Sequence, residues 1–298
     1  MQRRPGLACG LLVLCMGLSA CGGGSNGDSG GSDGGNDVGG GAGTGSGGTE
    51  GGGAGGGSSG GGDGSAACGS GSGDIRVLNA IASSVAIEVK VPETSTDFGT
   101  LAFGAASGFL DTPTCSYKIP VGLTDSTGEQ TLYVPDVQVR SDAQTTLFVT
   151  GVSVTEDSVG FAVLKPVLAV PDGQVEVQLV HVASASPSFN VYALPPGATS
   201  VSQGTQLAQA FGDQGFQRTA YSTPTNVAAG SYRLVVTTVD GEQVYDSGPA
   251  GVALPTANGA RSYQIAVLDA PDAPNGSPIS LLLLDDSGAQ TALANGQH

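Results

Sequence analysis

The chain has 298 residues, among them 51 Gly, 26 acidic and 10 basic residues, 2 His, 5 Cys and no Trp. Its formal charge of −16 argues against nucleic-acid binding as a main activity, because such binding needs a basic face. The two His residues, one of them at the last position, leave little material for a His-dependent catalytic or zinc site.

Residues 1–20 have the features of a secretory signal peptide. Arg3 and Arg4 supply a positive start, and an apolar stretch runs from Leu7 to Leu18. This stretch is too short to span a bilayer, which takes roughly 20 residues. No other apolar run in the sequence approaches that length, so we expect no transmembrane helix.

The end of this segment reads Leu18-Ser19-Ala20-Cys21 and is followed by Gly22. It resembles the lipobox of bacterial lipoproteins. The resemblance implies cleavage before Cys21, lipidation of Cys21, and sorting to the outer membrane because Gly22 is not Asp. Several acyl chains would make the anchor stable. An ordinary signal peptide with a chance cysteine and twin-arginine export remain alternatives.

Residues 21–73 are interpreted as the lipidated cysteine and a disordered linker. Between positions 22 and 73, 28 residues are Gly, and most of the others are Ser, Asp, Ala and Thr. Such a segment cannot bury enough apolar area to offset the entropy of ordering. A Gly-rich coil of this length reaches roughly 40 Å, so we expect it to hold the folded part away from a membrane.

From Asp74 onward, short runs of β-branched and apolar residues are separated by Pro and Gly at intervals near ten residues. This spacing indicates an all-β protein. The remaining length suits two antiparallel β-sandwich domains, which we place at residues 74–170 and 171–298. The turn-rich segment 169–173 is the expected joint.

An internal repeat supports two domains. Five landmarks recur in the same order, with an offset that changes where loops differ in length. The matched pairs are Val77-Leu78-Asn79-Ala80 with Leu179-Val180-His181-Val182, Ile87-Glu88-Val89 with Phe189-Asn190-Val191-Tyr192, Phe103-Gly104 with Phe211-Gly212, Ser116-Tyr117-Lys118-Ile119 with Ser231-Tyr232-Arg233-Leu234, and Gly128-Glu129-Gln130 with Gly241-Glu242-Gln243.

The opening strand of the second domain alternates with period two, as in a half-buried strand. One side carries Val175, Val177, Leu179 and His181, and the other carries Gln174, Glu176 and Gln178. The runs 147–149 and 265–268 are continuously apolar, which is typical of central strands. Residues 203–211 are interpreted as a single helical turn.

The run from Val180 to Tyr192 resembles the opening of a domain-of-unknown-function family found in bacterial envelope proteins. That family opens with a Val-His-Ala-Ser-Pro segment and a Val-Asp-Val-Tyr strand. Its later Phe-Gly and Gly-Ser-Tyr segments correspond to Phe211-Gly212 and Gly230-Ser231-Tyr232. The resemblance implies immunoglobulin-like β-sandwiches, often in tandem on lipoproteins. It implies no catalytic residue.

Two cysteines remain after Cys9 and Cys15 leave with the signal peptide and Cys21 is lipidated. Cys68 precedes the first strand, and Cys115 precedes the strand that contains Tyr117. In an oxidising compartment we expect Cys68 and Cys115 to form a disulfide. Two free thiols are the alternative.

Few residues in the sequence are candidates for a catalytic or metal-binding role. We expect His181 to be a hydrogen-bonded core residue that braces a turn, as does Asn79 at the equivalent position. Asp269, Asp272 and Asn275 share a loop, and Asp285 and Asp286 follow a strand. Their oxygens are weak candidates for calcium ligands, because their spacing fits no known loop motif. Solvated turn residues are the simpler interpretation.

The sequence therefore predicts a non-enzymatic, lipid-anchored protein of the outer membrane, facing the periplasm or the cell surface. It would serve as a binding, adhesion or structural module for a protein or glycan partner, without cofactor or catalytic residue. A calcium- or sugar-binding module, or an enzyme that uses the acidic loops of the second domain, is the alternative. A purely mechanical spacer is a third possibility.

Overall fold

The computed structural model describes residues 68–82, 85–125, 128–151, 159–166, 169–184, 186–212, 220–256, 262–270 and 278–296. Contacts divide the chain between residues 60 and 61, and all described residues lie in the second unit. The predicted signal peptide, Cys21 and most of the predicted linker fall outside the described residues. Where the chain is described, no helix has the length and apolar character that a membrane crossing requires.

The protein is all-β, as predicted. The strands of the first sandwich are β1 (Ser72–Ile81), β2 (Ala86–Lys90), β3 (Asp97–Leu101), β4 (Leu110–Pro113), β5 (Cys115–Asp125), β6 (Gly128–Val139), β7 (Ala143–Gly151) and β8 (Val159–Pro166). Those of the second are β9 (Gln174–His181), β10 (Phe189–Leu194), β11 (Thr205–Phe211), β12 (Ala220–Tyr221), β13 (Thr225–Ala228), β14 (Gly230–Thr238), β15 (Gln243–Asp246), β16 (Val252–Leu254), β17 (Ser262–Asp269), β18 (Ile279–Asp285) and β19 (Gln290–Leu293).

These strands form four sheets. In the first sandwich, outer sheet 1 has the order β3-β2-β5-β6 and inner sheet 1 the order β4-β1-β7-β8. In the second, inner sheet 2 runs β12-β9-β17-β18-β19, with β13 also on β9, and outer sheet 2 runs β11-β10-β14-β15, with β16 also on β14. One apolar core lies between the two sheets of each sandwich. The inner sheets face each other, so the described chain is a stack of four sheets.

The sheets are antiparallel except at one pair in each sandwich. Strand β1 pairs with β7 in parallel, and β9 pairs with β17 in parallel. The predicted antiparallel β-sandwiches are therefore confirmed, with one parallel pair in each. The chain leaves β1, passes through the outer sheet and returns to β7 in the same direction, and parallel neighbours need such a crossover connection.

The strand registers support the internal repeat. Val77 pairs with Leu147 and Asn79 with Val149, while Leu179 pairs with Ile265 and His181 with Val267. The landmarks matched in sequence thus occupy matched places in the two parallel pairs. The continuously apolar runs lie in β7 and β17, which are interior strands as predicted.

Residues 203–211 do not form a helical turn. A 3₁₀ turn covers Val201–Gln203, where Ser200 and Gln203 cap each other's backbone, and β11 follows at Thr205. Leu207 and Phe211 of β11 pack into the core. Burial of these side chains in the core between outer sheet 2 and inner sheet 2 favours the strand over the predicted helical turn.

The first strand begins at Ser72, before the predicted start at Asp74. Gly69 donates its N–H to the carbonyl of Thr114, and Thr114 donates to that of Gly71. A Cβ on Gly73 would lie 2.2 Å from the carbonyl oxygen of Arg140, so only glycine fits there. The last glycines of the predicted linker therefore belong to the fold.

Cys68 and Cys115 form the predicted disulfide, with 4.5 Å between their Cα atoms. The bond joins the segment before β1, in inner sheet 1, to the first residue of β5, in outer sheet 1. It therefore links the two sheets of the first sandwich at the point where the chain enters it.

Both sandwiches contain the same tyrosine hydrogen bond. The hydroxyl of Tyr117 donates to the carbonyl of Pro113 at 2.7 Å, and that of Tyr232 donates to the carbonyl of Ala228 at 2.7 Å. Each bond spans four residues back along the chain, like the tyrosine corner of immunoglobulin-like domains. The two tyrosines were matched by the sequence repeat.

Replacing Tyr117 or Tyr232 with Phe should lower the free energy of unfolding by about 1 kcal/mol in each case, because each change removes one hydrogen bond. Urea titration followed by circular dichroism measures both. A loss at one tyrosine with no loss at the other would show that the two bonds are not equivalent.

Candidate functional site: the interface between the two sandwiches

An apolar layer joins the two inner sheets. Its buried members are Leu78, Ala80, Phe148 and Val163 from the first sandwich and Val180, Val182, Ala266, Leu268, Leu282 and Leu284 from the second. Phe161 stacks on Phe148 at 5.2 Å between ring centres. This layer explains why β7 and β17 are apolar on both faces, since one face packs in a sandwich core and the other packs here.

Arg76 lies at the polar end of this layer and is almost fully buried, at 2% exposure. Its guanidinium donates to Thr146 Oγ1 at 3.0 Å, to the carbonyl of Asp285 at 2.7 Å and to Gln264 Oε1 at 2.8 Å. The guanidinium carbon also lies 4.5 Å from the centre of the Phe109 ring. Arg76 therefore binds residues of both sandwiches at once.

Burial lowers the pKa of Arg76 to about 10, and the charges of Asp285 and Asp286 partly offset that effect. Arg76 remains protonated at neutral pH. Because the charge is held mainly by a hydroxyl, a carbonyl and an amide oxygen, removing the side chain would leave polar acceptors in a buried place.

A second polar contact crosses the interface beside Arg76. Lys165 Nζ lies 3.0 Å from Glu176 Oε1, and both side chains are nearly buried. The same carboxylate oxygen accepts from Ser262 Oγ at 3.1 Å. Gln264 continues the network by donating to Gln178 Oε1 at 2.9 Å.

The structure corrects the predicted exposure of Glu176 and Gln178. They were placed on the solvent side of a half-buried strand, but both are buried in the interface. The alternation of β9 is real; its polar face meets the polar patch of the first sandwich rather than water.

Further hydrogen bonds join the sandwiches around the apolar layer. Thr150 Oγ1 lies 2.6 Å from the carbonyl of Val182 and 2.7 Å from Ser184 Oγ. Gln144 donates to the carbonyl of Asp286 at 3.0 Å, and the N–H of Ala106 donates to the Gln290 side chain at 2.7 Å. These bonds surround the layer and fix its register.

The two sides of the interface come from the same patch of each repeat. Leu78 corresponds to Val180 and Ala80 to Val182 in the sequence repeat, and all four lie in the apolar layer. A patch that meets its own equivalent is the arrangement of a two-fold symmetric dimer. The two sandwiches therefore meet through equivalent faces of β1 and β9.

A small cavity lies within the polar part of the interface. Its lining includes Arg76, Phe109, Lys165 and Gln264. Its volume is about 10 Å³, which is room for one water molecule.

The predicted metal candidates are not brought together where the structure describes them. Asp269 is buried and accepts from Ser186 Oγ at 2.9 Å. Asp285 holds the following turn, accepting from the backbone of Ser287 and Ala289, and Asp286 accepts from the N–H of Ser262. Asp272 and Asn275 lie outside the described residues. Within the described residues, no three His, Cys, Asp or Glu side chains are grouped to hold a metal.

His181 lies in the core of the second sandwich, as predicted. Its Nε2 is 3.4 Å from the carbonyl of Pro187, and its ring packs against Phe189 and Phe211. Asn79, its counterpart, donates to the carbonyls of Val85 and Leu101 at 2.9 and 3.0 Å. Pro187 matches Val85 in the repeat, so both polar residues brace the same turn.

Sequence reasoning did not single out Arg76, Lys165 or Gln264. One signal was available, because Arg76 is a lone charge inside the apolar run Ile75 to Ile81. A charge in the middle of a strand that is otherwise buried needs a partner, and the partner here comes from the other sandwich.

Asp246 shows how a buried carboxylate is held within the second sandwich. Arg233 donates to both of its oxygens, through Nε at 2.8 Å and through Nη2, and the N–H of Gly248 donates at 2.8 Å. The hydrogen bonds from Arg233 lower the pKa of Asp246, and Gly248 adds to the effect. The pair therefore stabilises the fold above the unfolded pKa of an aspartate, about 3.9, and this contribution is lost as the pH falls through the lower folded value.

An Asp246→Asn variant should be less stable than wild type at pH 7, by about 1.5–3 kcal/mol, because a charge-assisted contact is lost. The difference should shrink as the pH falls below 4. Unfolding free energies from pH 7 to pH 2 measure it. A difference that is independent of pH would contradict the assignment to the carboxylate.

Comparison with known proteins gives one family match. The model of the family described as Domain of unknown function (DUF4397) matches residues 73–192, which cover the first sandwich from the second residue of β1 onward, strand β9 and most of β10. None of the curated proteins compared with the chain matches it.

Among solved structures, the chain is similar to a candidate adhesin from Bacteroides ovatus. The identity is 10% and the TM-score is 0.23, over 76% of this chain and 96% of the other. A TM-score this low does not indicate a shared fold, so no property of that protein is inferred for this chain. The comparisons thus connect residues 73–192 with DUF4397 and assign no activity to them.

Proposed function

We propose that the chain is a non-enzymatic lipoprotein of the bacterial cell envelope that presents two immunoglobulin-like sandwiches, held as one block, to a protein or glycan partner. The single observation that carries this proposal is that the buried charged side chains bind other parts of the fold. Arg76 and Glu176 bind across the interface, and Asp246 and Asp269 bind within the second sandwich. An enzyme would instead direct such groups into a concave pocket with room for a substrate, whereas the cavity beside Arg76 has a volume of only about 10 Å³.

The anchor part of the proposal rests on the sequence. Leu18-Ser19-Ala20-Cys21 supplies the lipidation motif, and the Gly-rich segment after it supplies a tether. A block on such a tether can meet a partner at a distance from the membrane, and a lipid with several acyl chains keeps it there.

The Cys21→Ser variant tests the anchor. We expect the wild-type protein to be recovered in membranes and in the detergent phase of a detergent–water partition, and the variant to be recovered in the soluble fraction. The Cys68→Ser/Cys115→Ser double variant serves as the control, because it also replaces cysteine with serine but leaves the motif intact and creates no unpaired thiol. Equal partition of wild type and Cys21→Ser would refute the lipid anchor.

Protease treatment of intact and lysed cells locates the block. Loss of the sandwiches from intact cells would indicate surface display, and glycans and proteins of neighbouring cells would then be screened as partners. Protection until lysis would indicate the periplasm, where cross-linking would search for an envelope partner.

A further inference from the structure

We propose that the face of inner sheet 1 that meets the second sandwich is a charge-selective docking surface. It accepts a second sandwich, from its own chain or from another copy, and it refuses another first sandwich. The charges that make the selection are those of Arg76 and Lys165, both at the polar end of the interface. This selection concerns how the block assembles, so it is independent of the lipid anchor.

The apolar layer alone does not distinguish the two sandwiches. Leu78 of β1 pairs with Phe148 of β7. At the equivalent place in the second sandwich, Val180 of β9 pairs with Ala266 of β17. All four side chains lie in the layer, so each sandwich offers the same kind of apolar patch. Apolar contact is non-directional, and it would equally allow each patch to pack against a copy of itself.

The polar end differs between the sandwiches, because equivalent positions carry different charges. The registers of β1 with β7 and of β9 with β17 match Arg76 to Gln178. The registers of β7 with β8 and of β17 with β18 match Lys165 to Asp286. The first sandwich thus brings cations to positions where the second brings an amide and a carboxylate.

In the structure the two polar ends are complementary. Lys165 Nζ lies 3.0 Å from Glu176 Oε1. The negative charges of Asp285 and Asp286 act on Arg76 and favour its protonated form. Complementary charges across an interface oppose a wrong partner as well as favouring the right one.

Pairing of equivalent faces would bring like charges together. Two second sandwiches would place Glu176 against Asp286, the equivalent of Lys165. Two first sandwiches would place Arg76 near Lys165 instead of near Asp286. One favourable contact would remain in that case, between Lys165 and Asp74, which is the exposed equivalent of Glu176. Because the interface is buried, like charges would interact more strongly there than on the surface, and the unlike pairing is selected.

Two charge-reversal variants, mixed in equal amounts, test the selection. Lys165→Glu brings a carboxylate against Glu176, and Glu176→Lys brings an ammonium group against Lys165. Each chain then holds a like-charge contact in its own block, while its first sandwich matches the second sandwich of the other variant. Static light scattering should give the mass of one chain for each variant alone and twice that mass for the mixture. Such an exchange of equivalent units between chains is domain swapping.

The matched control is Lys118→Glu, which makes the same change at an exposed lysine of outer sheet 1. Mixed with Glu176→Lys, it should remain at the mass of one chain, because the exchange would gain no matched contact. A mixture of the two interface variants that stays at the mass of one chain would overturn the selection, and so would either variant that doubles its mass alone.

The double variant with Lys165→Glu and Glu176→Lys in one chain decides the question even where the single variants fold poorly. It restores opposite charges within the chain, so it should have the mass of one chain and recover most of the melting temperature that the single variants lose. A double variant no more stable than the single variants would refute the selection. Neither result depends on lipidation, so this test can fail while the Cys21→Ser test succeeds.

Discussion

Replacing Arg76 with Ala should lower the free energy of unfolding by about 3–5 kcal/mol. The change removes a buried side chain, leaves the Asp285 carbonyl and the Gln264 amide oxygen with fewer donors, and opens a cavity against Phe109. Because these acceptors belong to the second sandwich, the loss should weaken the contact between the sandwiches before it weakens either core. Denaturant unfolding measures the free energy, and hydrogen exchange in β1 and β17 locates the effect.

Two further variants test whether the loss of stability is specific to the buried Arg76 side chain. Arg140→Ala removes an exposed ion pair with Asp142, which solvent screens, so this variant should lose much less stability than Arg76→Ala. Arg76→Met keeps the apolar part of the side chain and should cost less than Arg76→Ala, since apolar replacements of buried charges are tolerated better than truncations. A loss below that of Arg140→Ala would contradict the structural role of Arg76.

Removing the disulfide with Cys68→Ser and Cys115→Ser together should lower the free energy of unfolding by about 2–4 kcal/mol. The bond closes a loop with a sequence separation of 47 residues, and the chain-entropy model gives about 4 kcal/mol as a ceiling for such a loop. Loss of the bond also frees the segment that pairs with Thr114, so exchange of the N–H groups of Gly69 and Thr114 should accelerate first.

Reduction of the wild-type protein should reproduce the loss seen in the double serine variant. A thiol count on denatured, unreduced protein gives an independent measurement. Two free thiols, or a melting temperature that does not change on reduction, would contradict this prediction.

The sequence predicted much of the fold because short-range patterns determine it. Runs of β-branched residues between turns indicated strands, and the repeated landmarks indicated two equivalent units. The disulfide followed from two cysteines left in an oxidising compartment. Tyr117 and Tyr232, which the sequence repeat aligns, also make the same hydrogen bond, each within its own sandwich.

The interface could not be predicted, because a period-two pattern shows that a face is polar and not what covers it. Gln178 reads as a solvent-facing residue in sequence, yet it accepts a hydrogen bond from Gln264 in the buried network. Likewise Gly73 reads as linker, because its close approach to Arg140 depends on a residue far along the chain. Both errors concern long-range contacts, which local composition does not encode.

The claim that the two sandwiches form one block is tested most directly by a distance distribution between spin labels at Glu129 in the first sandwich and Gln209 in the second, both exposed positions. The buried contacts through Arg76, Lys165 and the apolar layer predict a single narrow distribution. A broad distribution, as expected for two modules that move independently, would contradict the account.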